Sequence, residues 1–202
     1  MKLYFAPGAC SLSPHIALRE AGQNFDLVQV DLREKKTKDG KDFLQVNPKG
    51  QVPVLETDDG ETLTEGPVIL QYVGDKAPGS KLVPPAGSKE RYRVLEWLNF
   101  ISSELHKTIG PMFRPTTPDA YKTLSTENVK RRFAWLDQKL ASSPYLMGEA
   151  FSAPDAYLFV MLNWAKRLEI DLGQWPNLKA FWERVFARPK VQEAMKAEGL
   201  IK

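Results

Sequence analysis

Apolar and polar positions repeat with two different periods in the first 76 residues. Short alternating runs predict strands, and stretches in which apolar residues recur every three or four positions predict helices. In chain order the predicted elements are a strand at 2–6, a helix at 11–22, a strand at 26–31, a short helix at 40–46, strands at 54–57 and 61–64 joined by a tight turn, and a helix at 66–77. This first part therefore has the order βαβαββα, and either Ser11 or Ser13 is expected to cap its first helix.

From residue 88 onward nearly all apolar positions have helical spacing. Ser88 is expected to cap a run that reaches Ile109, and one face of that helix carries Leu95, Leu98, Ser102, Leu105 and Ile109. Four further helices are predicted to begin at Thr117-Pro118, Ser152, Pro176-Asn177 and Arg188-Pro189. A stretch rich in Pro, Gly and Ser separates the two patterns. We predict a domain at 1–80, a linker at 81–87 and an all-helical domain at 88–202.

Composition narrows the class of protein further. The chain has 202 residues, of which 43% are hydrophobic and 26% charged, and its formal charge is +3. These fractions are typical of a folded globular protein, so neither a disordered chain nor a membrane protein is expected. A nucleic-acid-binding protein is not expected either, since the basic residues are mostly interleaved with acids. The apolar segment 155–162 is too short to span a bilayer and predicts a buried helix. The residues suggest no metal site, and the cytoplasm is the expected location.

Cys10 is the only cysteine and therefore forms no disulfide within the chain. It follows the turn Pro7-Gly8-Ala9 and precedes a predicted helix, whose first N–H groups favour an anion. A cysteine thiol with a pKa of ~8.5 is only about 3% ionised at pH 7. A position that favours the thiolate lowers this pKa and makes the cysteine more reactive. The alternative is that Cys10 is a small buried hydrophobic residue.

Val52-Pro53 stands immediately before a predicted strand. If the peptide bond between them is cis, the neighbouring backbone turns outward and Val52 offers its N–H and C=O groups to an extended peptide. The alternative is an ordinary turn that starts a strand.

His15, one turn into the first helix, is expected to be a packing or solvated residue with no catalytic part.

Glu65 lies at the start of the helix that Gly66-Pro67 opens. A helix N-terminus binds a carboxylate and Glu65 can pair with an ammonium group, so together they suit an amino-acid zwitterion. The alternative is that Glu65 only complements the helix dipole.

Asn99, Ser103 and His106 form a polar stripe at helical spacing in the second half. A solvated helix face normally carries Lys and Glu, so an amide, a hydroxyl and an imidazole aligned on one face suggest a functional role. The alternative is a structural histidine.

Taken together, the chain closely resembles bacterial glutathione S-transferases of the beta class over essentially its whole length. The segments that carry the resemblance are Pro7 to His15, Asn47 to Pro53, Leu63 to Gly66, Asn99 to His106, and Phe151 to Asp155. The last of these looks like the family's capping box, in which Ser152 and Asp155 exchange hydrogen bonds at a helix start. Pro154 lies in the first turn of that helix, where it does not interrupt hydrogen bonding.

The resemblance implies a thioredoxin-like N-terminal domain, an all-helical C-terminal domain and a homodimer that binds glutathione and an apolar electrophile. It implies that Val52 pairs with the cysteinyl backbone of glutathione, that Glu65 and the N–H of Gly66 hold the γ-glutamyl end, and that Lys35 reaches the glycyl carboxylate. Cys10 and His106 are the implied catalytic residues at the sulfur. The remaining implied glutathione contacts are Gln51, Pro53, Asn99 and Ser103, and the implied electrophile pocket contains Phe113 and Trp164.

Two comparisons with other glutathione transferases bear on the predicted site. Many transferases have Ser where this chain has Gly66, so a hydroxyl contact is missing while the backbone donor remains. Transferases of other classes hold the thiolate with a Tyr or Ser hydroxyl, so Tyr4 and Ser11 are competitors of Cys10 for that role.

The resulting hypothesis is a glutathione S-transferase that conjugates the glutathione thiolate to apolar electrophiles. One alternative is thiol–disulfide exchange or reductive dehalogenation through a mixed disulfide on Cys10. A third possibility is a non-catalytic protein that binds glutathione or apolar ligands.

Overall fold

The computed structural model describes all residues, 1–202. Its strands and α-helices, in chain order, are β1 Lys2–Phe5, α1 Leu12–Glu20, β2 Asp26–Asp31, β3 Lys36–Thr37, β4 Val54–Glu56, β5 Thr62–Thr64, α2 Gly66–Lys76, α3 Lys89–Phe100, α4 Lys107–Ile109, α5 Asp119–Leu140, α6 Ala153–Arg167, α7 Pro176–Phe186 and α8 Pro189–Ala197. None of these helices combines the length and the apolar content needed to cross a bilayer.

The chain forms two compact units. The first contains residues 1–83 together with 188–202, and the second contains residues 84–187. The last helix, α8, thus packs within the first unit, against α1. The division at 1–80, 81–87 and 88–202 drawn from the sequence stays a prediction.

The first unit is built on a five-stranded mixed sheet with the order β3-β2-β1-β4-β5. Strand β1 pairs in parallel with β2 and antiparallel with β4, and β4 and β5 form the predicted hairpin. The predicted thioredoxin-like arrangement is confirmed, with two differences. The short strand β3 was not predicted, because two residues within a run of charges carry no apolar alternation. The predicted helix at 40–46 is a single 3-10 turn, Phe43–Gln45.

Helix α1 is buried along most of its length, and it packs against α2 and α8. Ser11 occupies the N-cap position of this helix, as predicted, but neither Ser11 nor Ser13 makes a capping hydrogen bond through its side chain. The Ser11 hydroxyl accepts a hydrogen bond from the N–H of Ala6 and donates to the Ala6 carbonyl, while Ser13 donates to the carbonyl of Cys10. Both hydroxyls thus bond the chain just before the helix rather than the N–H groups of its first turn.

The second unit is helical, and α6 forms its centre. Twelve of the fifteen residues of α6 are buried, which confirms the buried helix predicted at 155–162. The capping box of Ser152 and Asp155 is present at its start. Ser88 caps α3 as predicted, by accepting a hydrogen bond from the N–H of Arg91. The break predicted at Gly110-Pro111 is a 3-10 turn, Gly110–Phe113.

A π-helical segment, Ile101–His106, joins α3 to α4. The apolar spacing of this region predicts one continuous α-helix, and a wider turn leaves no distinct trace in such a pattern. The most deeply buried face of the helix carries Val94, Leu98, Ile101, Leu105 and Ile109. Leu95 and Ser102 of the predicted face are only half-buried.

Candidate functional site

Cys10 lies just before the N-cap residue of α1, Ser11, and at the end of the turn that follows β1, close to the helix start as predicted. The N–H of Ala9 bonds the carbonyl of Ala6 and closes this turn, in which Gly8 has a φ of 68°. Cys10 is half-buried, so its environment is neither that of a surface thiol nor that of a fully buried one. The turn and the helix start together fix the position of its Sγ atom.

The Sγ atom of Cys10 lies 3.3 Å from the carbonyl oxygen of Val52 and donates to it. The peptide bond between Val52 and Pro53 is cis. The loop that carries Val52 is held from within, because the Asn47 side chain donates to the Gln51 carbonyl at 2.8 Å and accepts from the N–H of Lys49 at 3.2 Å. Two segments that are separate in sequence therefore meet at the thiol.

Glu65 is the residue that starts α2, and its backbone has a φ of 68° and a ψ of 112°. A side-chain-bearing residue in this region is strained, and such strain is concentrated at functional sites. Its carboxylate is exposed and accepts a hydrogen bond from Lys49 Nζ at 2.8 Å. A charged group thus stands beside the first N–H groups of a helix, which attract anions.

Gly66 follows Glu65 in ordinary helical backbone. A Cβ atom placed on Gly66 would lie 3.9 Å from Pro53 Cγ, which is a normal contact. A serine would therefore fit, and the glycine is not required by space. The same distance shows that the start of α2 and the loop of Val52 are neighbours.

Lys35 also contacts the loop of Val52. Its Nζ atom donates to the Gly50 carbonyl at 2.8 Å, and its backbone φ is 55°. Gln51 is exposed, whereas Pro53 is buried. The structure thus gathers the seven glutathione residues predicted in the first unit around one loop, and they are Cys10, Lys35, Gln51, Val52, Pro53, Glu65 and Gly66.

Tyr4 and Ser11, the two hydroxyl competitors of Cys10, are both committed elsewhere. Ser11 is fully buried and bonds Ala6. Tyr4 is 7% exposed and donates to Glu56 Oε2 at 3.1 Å. Burial and the hydrogen bond to Glu56 both raise the pKa of the Tyr4 phenol. Tyr4 therefore remains a protonated donor to Glu56. The role of Cys10 at the glutathione sulfur stays a prediction.

His106 lies at the end of the π-helical segment in the second unit. Its Nδ1 atom is 2.5 Å from the hydroxyl of Tyr157, and its ring packs edge-on against Trp164 with centroids 5.0 Å apart. Trp164 in turn contacts Phe113, whose ring centroid is 5.5 Å away. The structure thus brings together His106 and the two predicted pocket residues, Phe113 and Trp164.

Asn99 and Ser103 are exposed and lie next to each other, since the Ser103 hydroxyl donates to the Asn99 carbonyl at 3.0 Å. His106 departs from their line and contacts α6 instead. The wider turn of the π-helical segment explains this departure, because residues three apart are rotated further from each other than in an α-helix.

Sequence reasoning missed three residues that shape these regions. Lys49 binds the Glu65 carboxylate, Tyr157 binds His106, and Glu198 accepts a hydrogen bond from the N–H of Gly8 at 2.9 Å. Only Lys49 lies within a motif that was singled out. Tyr157 lies in an apolar run, and Glu198 is 190 residues from Gly8, so local patterns do not indicate them. No group of three or more potential metal-ligating residues is present.

Comparison with known proteins gives the family. A model of the glutathione S-transferase N-terminal domain matches residues 1–75, and one of the C-terminal domain matches residues 100–189. Glutathione S-transferase GstA of Escherichia coli O157:H7 is 46% identical over 200 residues, which cover 99% of this chain and 100% of the relative.

Two solved structures are similar over the whole length. A ternary complex of BphK, a bacterial glutathione transferase, is 56% identical with a TM-score of 0.97, covering 99% of this chain and 100% of that one. A sphingomonad glutathione S-transferase complexed with glutathione is 51% identical with a TM-score of 0.96, covering 100% of both chains. The chain belongs to the glutathione S-transferase family, among its bacterial beta-class members.

Proposed function

We propose that this protein binds glutathione and joins its thiolate sulfur to an apolar electrophile, so that a glutathione conjugate forms. The observation that carries the proposal is the 3.3 Å contact between Cys10 Sγ and the Val52 carbonyl. It places a thiol beside a backbone segment whose N–H and C=O groups can pair with an extended peptide. The similar sphingomonad enzyme, solved with glutathione bound, supports the same ligand.

Val52 would hold the cysteinyl residue of glutathione by backbone hydrogen bonds. In the structure its carbonyl accepts a hydrogen bond from the Cys10 thiol. A cysteinyl N–H of glutathione is a stronger donor than a thiol and would take over this acceptor. Cys10 would then donate to the incoming sulfur, so ligand binding would itself redirect the thiol.

The two ends of glutathione carry different charged groups and need different partners. The γ-glutamyl end carries an ammonium and a carboxylate, which suit the Glu65 carboxylate and the N–H of Gly66. Lys49 already binds Glu65, so the ligand's ammonium would compete with a lysine. The glycyl end carries a carboxylate, which suits Lys35. Gln51 and Pro53 would flank the peptide.

Conjugation requires a thiolate and an electrophile in the right orientation. Hydrogen bonds from Cys10 and His106 would stabilise the thiolate, and orientation would supply much of the rate enhancement. Asn99 and Ser103, from this subunit or its partner, would complete the glutathione contacts, and Phe113 with Trp164 would contact the electrophile. These roles remain predictions.

Glu65→Gln tests the binding mode, with Glu61→Gln as the matched control because both glutamates are exposed and lie in the same region. We expect glutathione to bind Glu65→Gln about tenfold more weakly or worse, by calorimetry, because a charge-assisted hydrogen bond is lost. Cysteinylglycine, which lacks the γ-glutamyl group, should bind both variants equally. Equal loss of glutathione affinity in the two variants would contradict the proposed mode.

A second candidate function, thiol–disulfide exchange, is favoured by the partial exposure of Cys10 at a helix start. The Cys10 thiolate would attack one sulfur of glutathione disulfide, form a mixed disulfide and release one glutathione thiolate. Cys10→Ala separates the two functions. Conjugation of 1-chloro-2,4-dinitrobenzene should survive at least in part, whereas exchange should be abolished. Full conjugation without Cys10 would exclude an essential catalytic cysteine.

A homodimer in the cytoplasm completes the proposal. Sedimentation velocity should give about twice the 22.8 kDa mass of the chain. A single species at the monomer mass would contradict it.

A further inference from the structure

The imidazole of His106 is held by two aromatic side chains of α6. Its Nδ1 atom lies 2.5 Å from the Tyr157 hydroxyl, and the two rings are nearly perpendicular, at 89°. Trp164 packs edge-on against the same ring at 84°. Tyr157 is 2% exposed and lies in the most buried helix of the second unit, so its hydroxyl has little freedom to move.

The direction of the proton between these groups follows from their chemistry. A phenol O–H is a stronger hydrogen-bond donor than the N–H of a neutral imidazole, and an unprotonated imidazole nitrogen is a stronger acceptor than a phenol oxygen. The Tyr157 hydroxyl therefore donates to Nδ1. A neutral imidazole carries one proton, so that proton is then on Nε2.

We propose that Tyr157 is a positioning residue that fixes the tautomer of His106 with its proton on Nε2. The proposal rests on the proposed function, in which His106 donates a hydrogen bond to the glutathione thiolate. A donor at Nε2 stabilises the thiolate, whereas the other tautomer would direct a lone pair from Nε2 and oppose the negative charge. Tyr157 thus sets both the orientation and the polarity of the ring.

The second histidine of the chain supplies an internal reference. Arg19 Nε donates to His15 Nε2 at 2.9 Å, and an arginine only donates. His15 must therefore accept at Nε2 and carry its proton on Nδ1, which lies 2.8 Å from Glu198 Oε1. Because the chain has only two histidines, the structure assigns opposite tautomers to the complete set.

Nitrogen-15 NMR of the histidine side chains reads these tautomers directly, with or without glutathione. In the unmodified protein at a pH where both rings are neutral, we expect one histidine protonated at Nδ1 and one at Nε2. Tyr157→Phe removes only the hydroxyl and should convert the His106 signals to a tautomer mixture, with His15 unchanged. Tyr145→Phe, at another buried tyrosine of the same unit, is the control and should leave both unchanged.

Kinetics give the second readout. Tyr157→Phe should lower kcat about tenfold, as expected for one lost hydrogen bond, with little change in KM for glutathione. It should also move the pH profile of glutathione thiolate formation upward. In a His106→Ala background, which should itself move the profile upward, Tyr157→Phe should have no further effect.

The outcomes separate the two proposals. If His106 keeps a single Nε2–H tautomer in Tyr157→Phe, the positioning role is wrong. It is also wrong if Tyr157→Phe shifts the pH profile of thiolate formation and lowers kcat as much in the His106→Ala background as in the unmodified protein. If the NMR result holds but the unmodified protein neither binds nor conjugates glutathione, the proposed function fails while the assignment of the tautomer stands.

Discussion

The Nδ1 atom of His15 lies 2.8 Å from Oε1 of Glu198, although 183 residues separate the two in the chain. Both side chains are fully buried. The second oxygen of Glu198 accepts the N–H of Gly8, two residues before Cys10. One carboxylate therefore links α1, the turn that positions the thiol, and the segment that follows α8.

Glu198→Ala is expected to destabilise the protein by about 3 kcal/mol or more, because it removes the acceptor of the fully buried His15 imidazole and one acceptor of the Gly8 N–H. Glu193→Ala is the control, since Glu193 is exposed and its ion pairs with Lys190 and Arg19 should contribute little to stability. Urea unfolding measures both. Equal effects in the two variants would show that the buried network is not a principal source of stability.

The sequence indicated those features that depend on neighbouring residues. The limits of β2 match the alternation at 26–31, and the capping box at Ser152 follows from a four-residue motif. The residues around Cys10 were identified because short motifs carry the family resemblance. Where an element is set by a few adjacent side chains, the pattern is enough.

Features set by distant packing were not predictable in this way. The π-helical segment preserves the apolar spacing of an α-helix while changing the direction of His106, so its effect appears only in three dimensions. Tyr157 is one of many apolar positions in α6, and its contact with His106 spans 51 residues. The residues that position the predicted site residues are therefore harder to identify from the sequence than the site residues themselves.

Glu65→Gly and Glu65→Ala separate the strain at this residue from its charge. Both remove the carboxylate, but only glycine adopts a φ of 68° without a steric penalty. We expect the glycine variant to be more stable than the alanine variant by about 1–2 kcal/mol in urea unfolding. Glutathione affinity should fall in both. A less stable glycine variant would show that Glu65 is not strained in the folded protein.

Glu56 should make stability depend on pH in the acid range. Its hydrogen bond from Lys2, with a further one from Tyr4, lowers the pKa of the carboxyl. A lowered folded-state pKa stabilises the protein above the unfolded value, about 4.3, and this contribution is lost as the pH falls through the folded pKa.

In Glu56→Gln the unfolding free energy should therefore fall less steeply as the pH is lowered from about 5 to 3. Lys2→Met should reduce the slope as well, because it removes the principal cause of the shift. The double variant should resemble Glu56→Gln. Unchanged slopes in both single variants would show that this pair does not contribute to acid sensitivity.

Asp155 supports the helix that carries Tyr157 and Trp164, and it does so as an acceptor on both oxygens. Oδ1 accepts the N–H of Leu146 at 2.8 Å, and Oδ2 accepts the N–H of Ser152 at 2.7 Å. The side chain is fully buried. Asparagine cannot replace it, because its amide nitrogen would face one of these N–H donors.

Asp155→Ala and Asp155→Asn are therefore both expected to cost about 3 kcal/mol or more in urea unfolding, and Ser152→Ala about 1 kcal/mol. Asp119→Ala, at the exposed first turn of α5, should change stability by less than about 0.5 kcal/mol and serves as the control. If Asp155→Asn is as stable as the unmodified protein, one acceptor is sufficient. The start of α6 would then be held chiefly by its apolar packing.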